Sequence, residues 1–300
     1  VSGGAVYVAA SSPALMNSSF SSNTASVFGG AVMCDGKVGT QQTTFEACVF
    51  DSNQANIGGA IFSDGSNGGD SYNIISNSTF SHNNSNATAG AICNNGSMIG
   101  MANSIMTNCH FISNTSVNVG GAMYNFASDG ISNHEIIDCT FESNIAGARG
   151  GAIMNAGISN GQANLTIDGT LFEGNVSAGP GAAMYNFGAQ GQSNSTIHGT
   201  TFIGNQATGN GGAIFNDGSN SGASNSTLDS CTFELNTGND GGAIYNYGFS
   251  GQSDHNMNAC VFKSNMANNR GGAIYSNGEM GEANIVMDSC LLEGNHADNV

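Results

Sequence analysis

Tryptophan is absent from this 300-residue sequence, proline occurs twice, and Lys and Arg together number four. Charged residues make up 8% of the chain, against roughly 25% in ordinary soluble domains. With Lys, Glu and Arg so scarce, long coiled coils and helical bundles are excluded. Nucleic acid is excluded as a partner as well, because four cations neutralise few phosphates and a formal charge of −17 repels them. No run of eighteen apolar residues exists, so no segment crosses a membrane as a helix. What is abundant is glycine, at 45, and asparagine, at 42. Hydrophobic residues reach 39% with 16 Phe, too many for a disordered chain.

These residues are laid out in a repeat. Gly-Gly-Ala begins at Gly3, Gly29, Gly58, Gly120, Gly150, Gly211, Gly241 and Gly271, and the variants Ala89-Gly90-Ala91 and Gly181-Ala182-Ala183 fill the gaps. The unit is thus about 30 residues long and recurs about ten times. Val, Ile or Met follows each Ala, then usually an aromatic residue or Met, and then often Asn. A second motif, Phe-x-x-Asn, keeps the same beat from Phe20/Asn23 to Phe262/Asn265, with Leu292/Asn295 as the tenth copy. An apolar residue stands five positions before each Phe. Cys stands two positions before it in six copies: Cys48, Cys109, Cys139, Cys231, Cys260 and Cys290.

Short β-type segments between Gly, Asn, Asp and Ser turns, with no helical period, make this an all-β chain. A 30-residue unit cannot bury its apolar face alone, so units must stack. Cys and Phe at i and i+2 share one side of a strand, and that side is the core. The apolar residue at −5 lies an odd three positions from the Cys, so the chain bends between them at Asp-Gly, Asp-Ser or Asn-Ala pairs. The expected fold is a parallel β-solenoid of three-sided coils, one domain over 1–300, about 48 Å long at about 4.8 Å per coil. Asn23, Asn53, Asn83, Asn114, Asn144, Asn175, Asn205, Asn236, Asn265 and Asn295 should form an amide ladder along one corner, the corner leading back to the next Gly-Gly-Ala. Neither end carries a polar capping unit, so the expectation is either a segment of a longer protein or ends that pair with other copies or with neighbouring solenoid segments.

The alternation of Gly-Gly-Ala-[Ile/Val/Met] with Phe-x-x-Asn along the whole chain resembles the polymorphic outer-membrane proteins of chlamydiae. That resemblance implies a right-handed parallel β-helix, exported to the cell surface as an autotransporter-type passenger and acting in adhesion. The implied partners are surface proteins or glycans of a host or neighbouring cell.

Alternation in the strand after Gly-Gly-Ala puts the Ile column on one face and the next residue on the other. With Ile inward, Tyr7, Phe62, Tyr124, Tyr185, Phe215, Tyr245 and Tyr275, interleaved with Met33, Cys93 and Met154, would form an exposed stripe suited to sugar rings or a neighbouring strand. The opposite assignment places the aromatics in the core and Ile outside. The cysteines are expected as buried free thiols, since parallel Cβ vectors suit disulfides poorly. The best catalytic column stands four residues before Phe: Asp168, His198, Asp229, Asn258 and Asp288. It reads first as a polar turn position, so no catalytic residue is assigned. No metal-ligand spacing occurs, and calcium is suggested only by loops such as Asp64-Gly-Ser-Asn-Gly-Gly-Asp70, which lack the EF-hand pattern. Sequons including Asn77, Asn164, Asn194 and Asn225 are no more frequent than composition predicts. The leading reading is a non-enzymatic, extracellular β-helical shaft of a surface adhesin or surface filament. The alternatives are a self-assembling filament subunit stacked end to end and a polysaccharide-degrading β-helix enzyme.

Overall fold

Every coil turns its backbone through the left-handed region at three corners and again in the loop after the Gly-Gly-Ala strand, and these turns set the cross-section. In the computed structural model, which describes residues 2–298, the fifth coil shows the plan. A strand Met123–Ser128 follows Gly-Gly-Ala; a loop leads to Ile131–Ile137; then come Thr140–Glu142 and Ile145–Ala146. The left-handed residues stand between these strands: Asp138 (φ 52) ahead of Cys139, Ser143 (φ 55) ahead of Asn144, and Gly150 (φ 62) at the next Gly-Gly-Ala, with Asp129 (φ 52) in the loop. The bend expected between the −5 residue and the Cys position is the first of these corners.

The coil is therefore four-sided, not three-sided. Between the ladder Asn and the next Gly-Gly-Ala runs a fourth strand, as short as the two residues Thr115–Ser116. It points a small residue inward at nearly every coil, such as Ala55, Ser85, Ala146, Ser177 and Ala267. Strands stack coil on coil in parallel register, as in Met123↔Ile153, Leu165↔Ser195 and Phe141↔Phe172. They give three sheets of ten strands and one of nine. No helix occurs among the described residues.

Inside the coils, Phe20 through Phe262 form one continuous stack with centroids 4.6–4.9 Å apart and ring planes within 7°. Each such ring contributes on the order of 1.5–3 kcal/mol when buried. Val32, Ile61, Ile92, Ile153 and Ile214 pack against the stack from the Gly-Gly-Ala face, so the Ile column is inward. Ile75, Met106, Ile136 and Leu228, all from the −5 column, close it from the second face.

Gly-Gly-Ala is a steric requirement of the stacking. Gly120 adopts φ +64, and a Cβ on Gly121 would lie 2.0 Å from the carbonyl oxygen of Gly151 one coil on. Left-handed backbone and backbone-on-backbone approach both favour glycine.

Candidate functional site

The aromatic column on the outer side of the Gly-Gly-Ala face does not form the exposed stripe that alternation suggests. Phe62, Tyr185, Phe215 and Tyr245 are 3–7% exposed, Tyr124 and Tyr275 are half-buried, and only Tyr7 is open, at 53%. Two effects cover the column. Rings on successive coils stack on each other, Tyr185 on Phe215 at 5.0 Å and Phe215 on Tyr245 at 4.9 Å, which hides their faces. Apolar residues to either side hide the edges: Phe28, Ile57 and Val119 just before Gly-Gly-Ala, and Phe126, Phe187 and Tyr247 two positions beyond the aromatic. The result is a second apolar seam outside the main core.

Polar groups pin the seam at its margins. The Tyr185 hydroxyl donates to Asp217 Oδ2 at 2.7 Å, and the Tyr7 hydroxyl bonds Asp35. Burial, reinforced by Asp217, pushes the Tyr185 phenol well above its ordinary range. Two of the chain's few cations lie over rings, Arg149 above Tyr185 at 5.5 Å and Arg270 above Tyr275 at 4.5 Å. Arg270 also grips Asp240 in a two-point pair of 3.1 and 3.0 Å. These contacts combine charge pairing with cation–π attraction.

The ladder Asn residues meet as their spacing implies. Nδ2 of each donates to Oδ1 of the next, at 2.9–3.0 Å, from Asn23→Asn53 to Asn265→Asn295. Each Oδ1 also accepts the backbone N–H of the preceding Asn, and each Nδ2 donates a second time to a Phe carbonyl of the coil before, as in Asn175→Phe141. From Asn53 to Asn265 these side chains are fully buried.

A second interior ladder went unassigned in the sequence. The Asn that often follows the aromatic position points inward: Asn94 donates to Asn125, Asn186 to Asn216 and Asn216 to Asn246 at 2.8–3.1 Å. Its signal was that recurring Asn, two positions beyond the Ile and hence on the Ile side of the strand. Beside it, on the second face, two buried histidines interrupt a Ser-rich column. His134 is held by Ser104 at 2.7 Å and Ser132 at 2.8 Å, and His255 by Ser253 at 3.0 Å. Burial pushes both imidazoles down to about 3.

The polar column four residues before Phe, weighed as a catalytic candidate and read first as a turn position, does converge. His198 Nδ1 lies 2.7 Å from Asp168 Oδ1, His198 Nε2 lies 3.4 Å from Asp229 Oδ2, and Asn258 donates to Asp229 at 2.5 Å. The Asp168 hydrogen bond raises the pKa of His198 above its ordinary value. All three side chains are exposed to solvent. Asp229 and Asp288 line a shallow depression of about 370 Å³ with Thr227, Asn256 and Val286.

In the suggested calcium loop, Asp64 is already engaged. Its Oδ2 pairs with Lys37 Nζ at 2.8 Å, and its Oδ1 accepts from the Ser66 backbone and from Asn95. No cluster of three or more metal-ligating side chains occurs among the described residues. The eight cysteines are free thiols, seven of them buried. Two positions before the Phe, Cys, Ser and Thr exchange because each offers an acceptor to the N–H one coil before: Cys48 N–H reaches Ser78 Oγ at 3.0 Å, and Cys139 N–H reaches Thr170 Oγ1 at 3.3 Å.

Fold and columns together define a parallel β-solenoid repeat protein. Six segments, 17–35, 47–64, 138–156, 199–217, 230–247 and 259–277, match the Chlamydia polymorphic membrane protein repeat. In these six segments the chain is similar to that repeat. Each match begins near the corner before the Phe strand and ends in the next Gly-Gly-Ala strand, so it leaves out the second face. No curated protein and no solved structure matches the chain.

Proposed function

We propose that this chain is the non-catalytic β-solenoid shaft of an adhesin displayed outside the cell. The observation that carries the reading is the continuous coil-on-coil stacking. Strands pair rung by rung through ten coils, and the Phe and Asn columns run with them, a geometry that gives length and stiffness. The match to a membrane-protein repeat supports surface display. The solvent-exposed Asp168–His198–Asp229 column supports a structural role over a catalytic one, since acid–base catalysis draws on groups whose surroundings exclude water.

Two measurements test the proposal. Protease treatment of intact source cells should remove the protein while cytosolic markers survive. Beads coated with the purified chain should adhere to target cells more than beads coated with an unrelated β-solenoid. Protection from external protease would overturn surface display, and equal bead adherence would overturn the adhesin role. Release of reducing sugar from a polysaccharide, lost on Asp168→Asn or Asp229→Asn, would replace the reading with an enzyme.

A further inference from the structure

The aromatic seam is missing a rung. From Tyr185 to Tyr275 every coil places a ring in the column, with centroids 5.0, 4.9 and 5.3 Å apart. In the fourth coil the position is Cys93, whose register partners are Phe62 on one side and Tyr124 on the other. Two rungs of about 4.8 Å separate the strands that carry those rings by about 9.6 Å. Phe215 shows what such an interval holds, since it fills the same two-rung gap between Tyr185 and Tyr245. The other ringless coils use Met33 and Met154, whose long side chains fill much of the space a ring would take. Cys93 has one heavy atom beyond Cβ.

A cavity of about 470 Å³ opens at this place, walled by Phe28, Phe62, Cys93, Tyr124 and Phe126. Phe28 stacks on Phe62 at 4.5 Å, so the apolar wall is braced from behind. Lys37 and Asn95 stand at the polar margin. Lys37, one-third exposed, is neutralised by Asp64, so the margin offers hydrogen bonds without net charge. This volume lies within the roughly 300–1,000 Å³ range of small-molecule sites, and the mix of aromatic walls with few polar groups is typical of them. Burial pushes the Cys93 thiol far up, so it stays protonated and would hold a guest by contact rather than by a bond.

We propose that this cavity is a binding site for an uncharged, planar aromatic molecule of up to about three rings. Phe62 and Cys93 are each only 3% exposed, so the guest ring lies across the outer edge of the gap, against Phe28, Tyr124 and Phe126, and a polar edge meets Lys37 and Asn95. The site is independent of the shaft reading, because its evidence is binding and not location or adhesion.

The test is a titration of the 300-residue protein with the neutral fluorophore N-phenyl-1-naphthylamine. The wild-type chain should give a saturable enhancement with one site per chain. Cys93→Phe, which continues the ring ladder, should weaken binding at least ~10-fold. Tyr124→Leu removes one wall without filling the slot and should weaken it by at least ~5-fold; it keeps the test valid should the larger side chain fail to fold. Thr196→Ala, on the second face, should leave binding unchanged. No saturable enhancement, or equal affinity in wild type, Cys93→Phe and Tyr124→Leu, would overturn the site.

Discussion

Asn144 uses each of its hydrogen-bonding groups. Its Oδ1 accepts the N–H and the Nδ2 of Asn114, both at 3.0 Å, and its Nδ2 donates to Asn175 Oδ1 at 3.0 Å and to the Phe111 carbonyl at 2.9 Å. Asn144→Ala strands donors and acceptors in a site closed to water, and should cost about 3–5 kcal/mol. Asn144→Asp separates a ladder from a merely polar corner. A carboxylate can accept from Asn114 but gives nothing to Asn175 or Phe111, so in a ladder it should destabilise about as much as Ala; urea titrations of both variants check this. Leu235 carries the opposite lesson. It occupies the left-handed corner before Asn236 at φ 57, where Gly174, Gly204 and Gly294 serve other coils. Its side chain is 54% exposed, so little packing opposes replacement. Leu235→Gly should stabilise the chain by about 1 kcal/mol, the left-handed penalty less the entropy of glycine, seen as a higher urea midpoint.

Strands differ in how plainly they were written. The Gly-Gly-Ala and Phe strands were legible because each residue meets its own kind one coil on, so the selection recurs ten times at fixed spacing. The fourth strand was not. At two residues, as in Ile145–Ala146, it has no alternation to detect, and its mark is only the small residue two positions after the ladder Asn, Ala146 or Ser177. The aromatic column was placed on the correct side of its strand but assigned to solvent, because alternation reports which side of a sheet a residue takes and not what covers it. Phe126, Phe187 and Tyr247 cover it from the same strand two residues on, a spacing visible in the sequence once the seam is known. The Asp168–His198–Asp229 column was legible as a column, since register alone assembles it. Its two contacts are unequal, 2.7 Å to Asp168 and 3.4 Å to Asp229. An NMR titration should therefore place His198 above the ordinary histidine pKa, and Asp168→Asn should lower it more than Asp229→Asn does. Equal shifts from the two variants would mean that the hydrogen bond to Asp168 is not what holds the proton.

Over the whole rod, two coils carry a built-in sensitivity to mild acid. His134 and His255 are completely enclosed and held neutral, with pKa values of about 3 in the folded chain, against about 6.5 once unfolding exposes them. Between those values the unfolded chain binds more protons than the folded one, so stability rises with pH and is lost on acidification. Each histidine contributes about 1.4 kcal/mol per pH unit in that window, or about 5 kcal/mol for the pair between pH 6.5 and 4.5. The carboxylates whose folded values are depressed, Asp51 through its bond from Ser81 and Asp254 through backbone and amide donors that outweigh its burial, act lower. Their stabilisation is full above the ordinary Asp value and is lost only as pH falls below it. Urea midpoints at pH 7, 6, 5 and 4.5 should thus fall steeply for the wild type and much less for a His134→Gln, His255→Gln double variant. Because each coil is coupled chiefly to its neighbours, hydrogen exchange at pH 5 should speed up first around Ser104–His134 and Ser226–His255, the strands that carry and flank the two imidazoles. A wild-type profile as flat as that of the double variant would place the acid sensitivity of the rod outside these two side chains.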